Sequence, residues 1–260
     1  MARQSRARTQ STPRPAPTAA PAEVAQFAAL ADAWWDPDGP FKPLHRINPV
    51  RVGYLRDRLA GHFKRAAKGK APLKGLRILD VGSGGGLVSE GVRKLGAKVV
   101  GIDPGAENVG VAKAHARTSG LEIDYRVAAP EDLEAEAEGF DAVLALEVIE
   151  HAADPQAFVD AIARLLRPGG AMILSTLNRT LKSLLLGKIV AEYVLGWLPV
   201  GSHDWNKFLK PSELGRHLRA AGIEPVEVQG LGFRPLTGVW ALDPDPSVNY
   251  FVYAVKRSAN

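Results

Sequence analysis

The chain has 260 residues, 46% hydrophobic and 23% charged, enough for one large domain with a full core. It has no cysteine, which excludes disulfides, thiolate metal sites and a cysteine nucleophile. The absence of any uncharged apolar run of about eighteen residues argues against a membrane span. Its net charge of +5 is unevenly placed: Arg3, Arg6, Arg8 and Arg14 lie in an acid-free stretch over 1–21, leaving 29 basic and 28 acidic residues beyond it.

Residues 1–21, rich in Arg, Pro, Ala, Ser and Thr, read as a disordered tail without the apolar core of a secretion signal. Their arginines suit an organellar transit peptide, but four prolines oppose the amphipathic helix such peptides need. Residues 22–260 read as one domain. A helix is predicted over 22–35, leading into Asp36-Pro37-Asp38-Gly39-Pro40, and a second over 48–66 with Pro49 near its first turn. Residues 42–77 carry eleven Lys or Arg against Asp57 alone. Such a strip is a solvated helix face or a contact for an anionic surface. Without stacked aromatics or a binding motif, nucleic acid is not expected.

Short aliphatic runs bounded by Gly, Pro or Asp predict strands at 76–81, 97–102, 122–127, 140–146 and 170–176. Helices fit between them at 86–95, 105–118 and 154–166, the last stopped by Arg167-Pro168-Gly169-Gly170. An apolar segment covers 181–198, a polar loop 199–210 and a helix 211–221; strands at 223–229 and 248–255 close the chain. The alternation predicts an α/β, Rossmann-like fold: a mostly parallel seven-stranded sheet, helices on both faces and an antiparallel terminal strand.

Residues 78–86 read Ile-Leu-Asp-Val-Gly-Ser-Gly-Gly-Gly, and Asp103 falls 21 positions after Gly82, at the end of the next strand. There an acid binds a ribose in nucleotide-type α/β sites, and a glycine turn lets a ligand reach bare backbone. A dinucleotide fold wants a third glycine where Leu87 stands. Asp80 would repel a phosphate and welcome an ammonium. S-adenosylmethionine has an ammonium, a sulfonium and a ribose but no phosphate, so it suits this pattern better than a nicotinamide dinucleotide.

Leu146-Glu147-Val148-Ile149-Glu150-His151 follows a central strand, where ligands of open α/β sheets bind. On one helical turn, Glu147, Glu150 and His151 would share a face. They would then hold a divalent cation, or leave His151 as a general base. The plainer reading is a solvated helix start favoured by the helix dipole.

Ile78–Gly86, Asp103 and Glu147–His151 together resemble class I S-adenosylmethionine-dependent methyltransferases. Four further stretches narrow the resemblance to the ubiquinone-biosynthesis O-methyltransferase family: Trp34-Trp35-Asp36, Phe41–Arg51, Ser175–Arg179, and His203-Asp204 through Phe208–Pro211. The likeness runs from about residue 23 to 256. It implies methyl transfer to phenolic oxygens of polyprenyl catechol-type intermediates and of 3-demethylubiquinol. It also implies cofactor contacts at Arg51, Gly82, Asp103 and Leu146, and a divalent cation such as magnesium at Glu147, Glu150 and His151. Ser83 replaces a cysteine frequent in the family, and Leu146 a methionine; both swaps keep size.

Such an acceptor carries a tail that partitions into lipid, and segment 181–198 is then either a core helix or an interfacial lid. The implied setting is the bacterial cytoplasm, with peripheral contact at an anionic inner membrane and a biosynthetic complex as partners, ahead of an organellar matrix. Two other classes remain, a nicotinamide-dependent oxidoreductase and a non-catalytic assembly protein. Another small phenolic or lipid-like acceptor is the alternative within methyltransferases.

Overall fold

The computed structural model describes residues 18, 24–25, 29–133, 139–185, 205–234 and 237–258. Eight strands form one sheet: β1 Arg77–Val81, β2 Lys98–Asp103, β3 Asp124–Val127, β4 Phe140–Leu146, β5 Leu166–Leu177, β6 Ile223–Arg234, β7 Val239–Asp243 and β8 Asn249–Lys256. Their order is β3-β2-β1-β4-β5-β8-β6-β7. β1 to β5 pair in parallel, and β8, β6 and β7 join through antiparallel ladders. The expected mixed α/β sheet is therefore present with one strand more. The extra strand is β7, between the two strands expected to close the chain; only partly covered along its length, it carries a weak apolar signal.

Five helices matter for the site: α1 Lys42–His62, α2 Leu87–Lys94, α3 Ala106–Thr118, α4 Pro155–Leu165 and α5 Pro211–Ala220. The central strands alternate between two cores. Leu79, Val81, Ile102, Val143 and Leu174 pack with Phe158 and Ile162 of α4 and Leu214 and Leu218 of α5. Ile78, Val99, Leu144 and Ile173 pack with Ile47, Tyr54, Leu55 and Leu59 of α1 and Val92 of α2. Both faces being covered explains why these strands read as continuous apolar runs.

The helix expected over 48–66 begins six residues earlier and encloses Pro49. Phe41, Leu44 and Ile47 draw its first turns onto the core, outweighing the donor lost at Pro49. The helix expected over 22–35 is described only as helical backbone at Val24-Ala25 and a 3-10 turn Ala31–Ala33. α4 starts as its sequence demands: Pro155 occupies the first turn, and Asp154 accepts from the Gln156 and Ala157 N–H groups at 2.9 and 3.1 Å.

The basic stretch is only partly absorbed by the fold, with Arg46, Lys64, Arg65, Lys68, Lys70 and Lys74 exposed. Arg51 is buried, Arg58 pairs with Glu227, and Arg77 lies over the Phe140 ring. Of the apolar segment 181–198, residues 186–198 lie outside those described. No helix among the described residues is long and apolar enough to cross a membrane.

Candidate active site

Because β2, β1 and β4 are neighbours and parallel, their carboxyl ends bring Asp103, Gly82 and Leu146 to one edge. Gly82, Gly84 and Gly86 have φ of +67°, +52° and +92°, a backbone that side chains resist, which lets the chain reverse from β1 into α2. The bare surface of this turn has a second use that the sequence did not reveal. A Cβ on Gly82 would lie 2.5 Å from Val148, and one on Gly84 2.5 Å from the Trp34 ring, which also covers Gly85. Protein side chains, rather than a ligand alone, require these glycines.

The two acids here are buried and satisfied. Asp80 accepts from the Ser89 hydroxyl at 2.6 Å. Burial pushes it up to about 6; the Ser89 bond opposes that rise and the nearby Asp103 charge adds to it. Asp103 takes the Gly84 N–H on Oδ2 at 3.0 Å, and the Gly105 N–H and Asn108 Nδ2 on Oδ1 at 2.8 and 3.0 Å. Burial still raises its pKa against these donors.

The other half lies where β4, β5 and β8 meet. Glu147 has φ of +57°, the left-handed region that non-glycine residues avoid. Its backbone N–H binds the Ser175 carbonyl at 2.9 Å. Oε1 accepts from Ser175 Oγ and Asn249 Nδ2, both at 3.0 Å, and faces Arg51 Nη2 at 3.1 Å. Glu150 is 3% exposed; Thr176 Oγ1 donates to its Oε2 at 2.8 Å, while its Oε1 has no hydrogen-bond partner. Burial drives Glu150 to about 8, with the Glu147 charge adding to the rise. His151 is half-buried, its N–H bonded to the Val148 carbonyl at 2.9 Å.

The i, i+3, i+4 argument needs correcting. Glu147 ends the strand connection in a left-handed conformation, and only Ile149–His151 form a 3-10 turn, so the three residues do not share a helical face. Among the described residues no three His, Asp or Glu side chains converge closely enough to chelate a metal. Glu147 and Glu150 are oxygen donors of the kind a hard divalent cation takes, and the buried Glu150 Oε1 lacks a partner.

Arg51 reaches the site from α1, 5% exposed, and ties the halves together. It pairs with Glu147, and its charge also acts on Asp80 and Glu150. Sequence reasoning missed Ser89, Asn108, Ser175 and Asn249. Ser175 stands in a stretch that carried the family resemblance, and Asn108 stands five residues beyond Asp103; Ser89 and Asn249 left no signal.

A parallel sheet with a glycine turn, a buried acid after the second strand and an acidic turn after the fourth defines an S-adenosylmethionine-dependent methyltransferase. A family described as "Methyltransferase domain" matches residues 79–174. Magnesium protoporphyrin IX methyltransferase from Synechocystis PCC 6803, solved with bound S-adenosylhomocysteine, shares the fold at a TM-score of 0.56 and 22% identity, covering 88% of this chain and 99% of that one. An Aquifex aeolicus S-adenosylmethionine-dependent methyltransferase gives 0.56 at 16% identity, over 90% and 98%.

Full-length relatives go further. Proteins named ubiquinone biosynthesis O-methyltransferase are 50% identical in Paramagnetospirillum magneticum, over 92% of this chain and 96% of theirs, and 52% identical in Dinoroseobacter shibae, over 90% and 95%. The chain belongs to the ubiquinone biosynthesis O-methyltransferase family, which sets aside the nicotinamide-dependent and non-catalytic readings.

Proposed function

We propose that this enzyme methylates phenolic oxygens of polyprenyl catechol-type ring precursors and of 3-demethylubiquinol. The observation that carries this reading is identity at half of all positions with relatives of that name across nine-tenths of the chain. S-adenosylmethionine, when bound, supplies an electrophilic methyl group whose bond to sulfur breaks as a bond to the phenolic oxygen forms. The residues proposed to hold it are Asp103 at the ribose, with Gly82, Leu146 and Arg51 around the remainder. Alignment of donor and acceptor can lower such a barrier by roughly 7–11 kcal/mol.

The acceptor hydroxyl must also lose its proton. Its buried, unpartnered Oε1 and raised pKa favour Glu150 as the group that takes it, with His151 beside it in the same turn. Glu147 is anchored by Arg51, Ser175 and Asn249 and supplies fixed negative charge next to Glu150. Should a divalent cation such as magnesium be resident, Glu147, Glu150 and His151 would hold it, and it would favour the phenolate as a Lewis acid.

Contact with a membrane belongs to this reading through the lipid-like tail of the acceptor and the apolar segment 181–198. The exposed Lys64, Lys68, Lys70 and Lys74 precede β1, at the sheet edge opposite the site. They are therefore poorly placed to bring the acceptor side against anionic lipid. Peripheral attachment and a biosynthetic complex remain proposals, and no nucleic-acid partner is invoked.

The test is a methyltransferase assay with a short-chain prenyl catechol and the corresponding demethylated quinol, with chelator and with magnesium restored. O-methylated product from both acceptors is expected. Binding of S-adenosylhomocysteine without methylation of either would refute the acceptor assignment.

A further inference from the structure

We propose that Trp34 is a positioning residue for the cofactor, acting on Asp103 through two separate supports. The inference rests on Asp103 being the ribose-binding acid. Trp34 Nε1 donates to Asn108 Oδ1 at 2.9 Å, and Asn108 Nδ2 donates to Asp103 Oδ1 at 3.0 Å. An indole N–H can only donate, so it fixes which end of the Asn108 amide is the oxygen. The amide N–H₂ is thereby committed to Asp103. The acceptor-only carboxylate selects the same orientation, so without the indole the amide keeps its N–H₂ toward Asp103 but loses the bond that holds it in place.

The second support reaches the other carboxylate oxygen. The Trp34 ring lies directly on Gly84 and Gly85, and the Gly84 N–H is the donor to Asp103 Oδ2 at 3.0 Å. One side chain thus backs both oxygens of the acid. Trp34 is itself held firmly: it is buried, stacks on Phe41 with centroids 3.9 Å apart, and its carbonyl accepts from His45 Nε2 at 2.8 Å. The neighbouring Trp35 Nε1 donates to the Gly85 carbonyl at 2.9 Å, and its ring stacks on His115. Trp34, Trp35, Phe41 and His45 lie before residue 79, where the shared methyltransferase domain match begins, so the aromatic part of the buttress is added from outside the matched range onto Gly84, Gly85, Asn108 and His115 within it.

Trp34→Phe keeps an aromatic ring against Phe41 and removes the N–H. Calorimetry with S-adenosylhomocysteine, and kinetics at varied S-adenosylmethionine, should show Kd and KM raised about five- to tenfold, the equivalent of one lost buried hydrogen bond. The kcat at saturating donor should stay within about twofold, a split that general loss of folding would not produce. In an Asn108→Ala background the same substitution should add less than about a twofold effect, because the route through Asn108 is already cut. If Trp34→Phe does not fold, Asn108→Ser carries the test with the same expected KM shift.

An unchanged Kd in the folded variant, additive effects in the double variant, or a fall in kcat at unchanged KM would overturn the proposal. Asp103→Asn serves as control. Normal affinity there refutes the role of Asp103 itself, whereas weak binding there with normal binding in Trp34→Phe refutes only the buttress.

Discussion

The two halves of the site are built on opposite principles. Around β1 and β2 the acids are surrounded by neutral donors: Asp80 has Ser89, and Asp103 has two backbone N–H groups and Asn108. Around β4, β5 and β8 two carboxylates press on each other, one in a left-handed backbone and the other with a buried oxygen lacking a partner. In the first half both acids are satisfied before any ligand arrives, although Ser83 Oγ and the Tyr125 hydroxyl are buried there without a partner. In the second, Glu147 is held by Ser175, Asn249 and Arg51, while Glu150 Oε1 is left without a hydrogen bond. Buried polar groups without partners are expensive, and they persist in native proteins chiefly where chemistry uses them.

Removing the carboxylate at the unsatisfied half should have the largest effect. Glu150→Gln is expected to lower kcat by about 100-fold or more, in the range of general-base losses, while calorimetric affinity for S-adenosylhomocysteine stays within about twofold. Wild-type turnover in that variant would dissolve the contrast. Stability supplies a second readout. The Glu150 pKa, raised to about 8 in the fold, means that the native state holds this proton more tightly than the unfolded chain. Its stabilising contribution is complete below the ordinary carboxylate range and drains away as pH climbs toward 8. Glu150→Gln should therefore flatten the decline of Tm between about pH 5 and pH 8.

The satisfied half should respond in the complementary way. Asp103→Asn, which keeps the shape and removes the charge, is expected to weaken S-adenosylhomocysteine binding about 10- to 100-fold, the loss of charge-assisted hydrogen bonds. Turnover at saturating donor should change only a few-fold. A variant that lost kcat at full affinity would place Asp103 in the chemistry and blur the two halves.

The smallest effect concerns packing. Gly85 does not occupy the left-handed region, so Gly85→Ala is resisted chiefly by Trp34, whose Cγ, Cβ and Cδ2 all crowd an added Cβ, the Trp34 Cβ at 2.5 Å and Cδ2 at 2.8 Å. It should cost about 1–3 kcal/mol of stability by overpacking. In a Trp34→Gly background, which also removes the Trp34 Cβ 2.5 Å from the added methyl, denaturant titration should show that increment largely gone; an undiminished cost would mean that something other than Trp34 fills the space.

How much of this was readable beforehand follows the same divide. The half proposed to hold the cofactor is nearly contiguous: one glycine run and one acid at the end of the next strand, so a linear pattern captures it. The layered sheet was equally legible, because strands buried on both faces leave unbroken aliphatic runs and loops leave Gly, Pro and Asp. The acceptor half was legible only as Glu147, Glu150 and His151. What sets their behaviour arrives from α1, β5 and β8, as Arg51, Thr176 and Asn249, and no spacing along the chain announces such meetings. The helical-face argument failed at one torsion, the left-handed Glu147, which neither propensity nor periodicity predicts for a glutamate. The glycine turn was read correctly as bare, but its reason was incomplete, since Trp34 precedes it by fifty residues.

Arg51 belongs to neither half alone. Because one guanidinium answers both to Glu147 and to the field of Asp80, whatever alters its attraction to one end must alter its availability to the other. With donor and acceptor in the two halves proposed for them, their binding would be thermodynamically linked through Arg51, and the affinity for either would depend on whether the other is present.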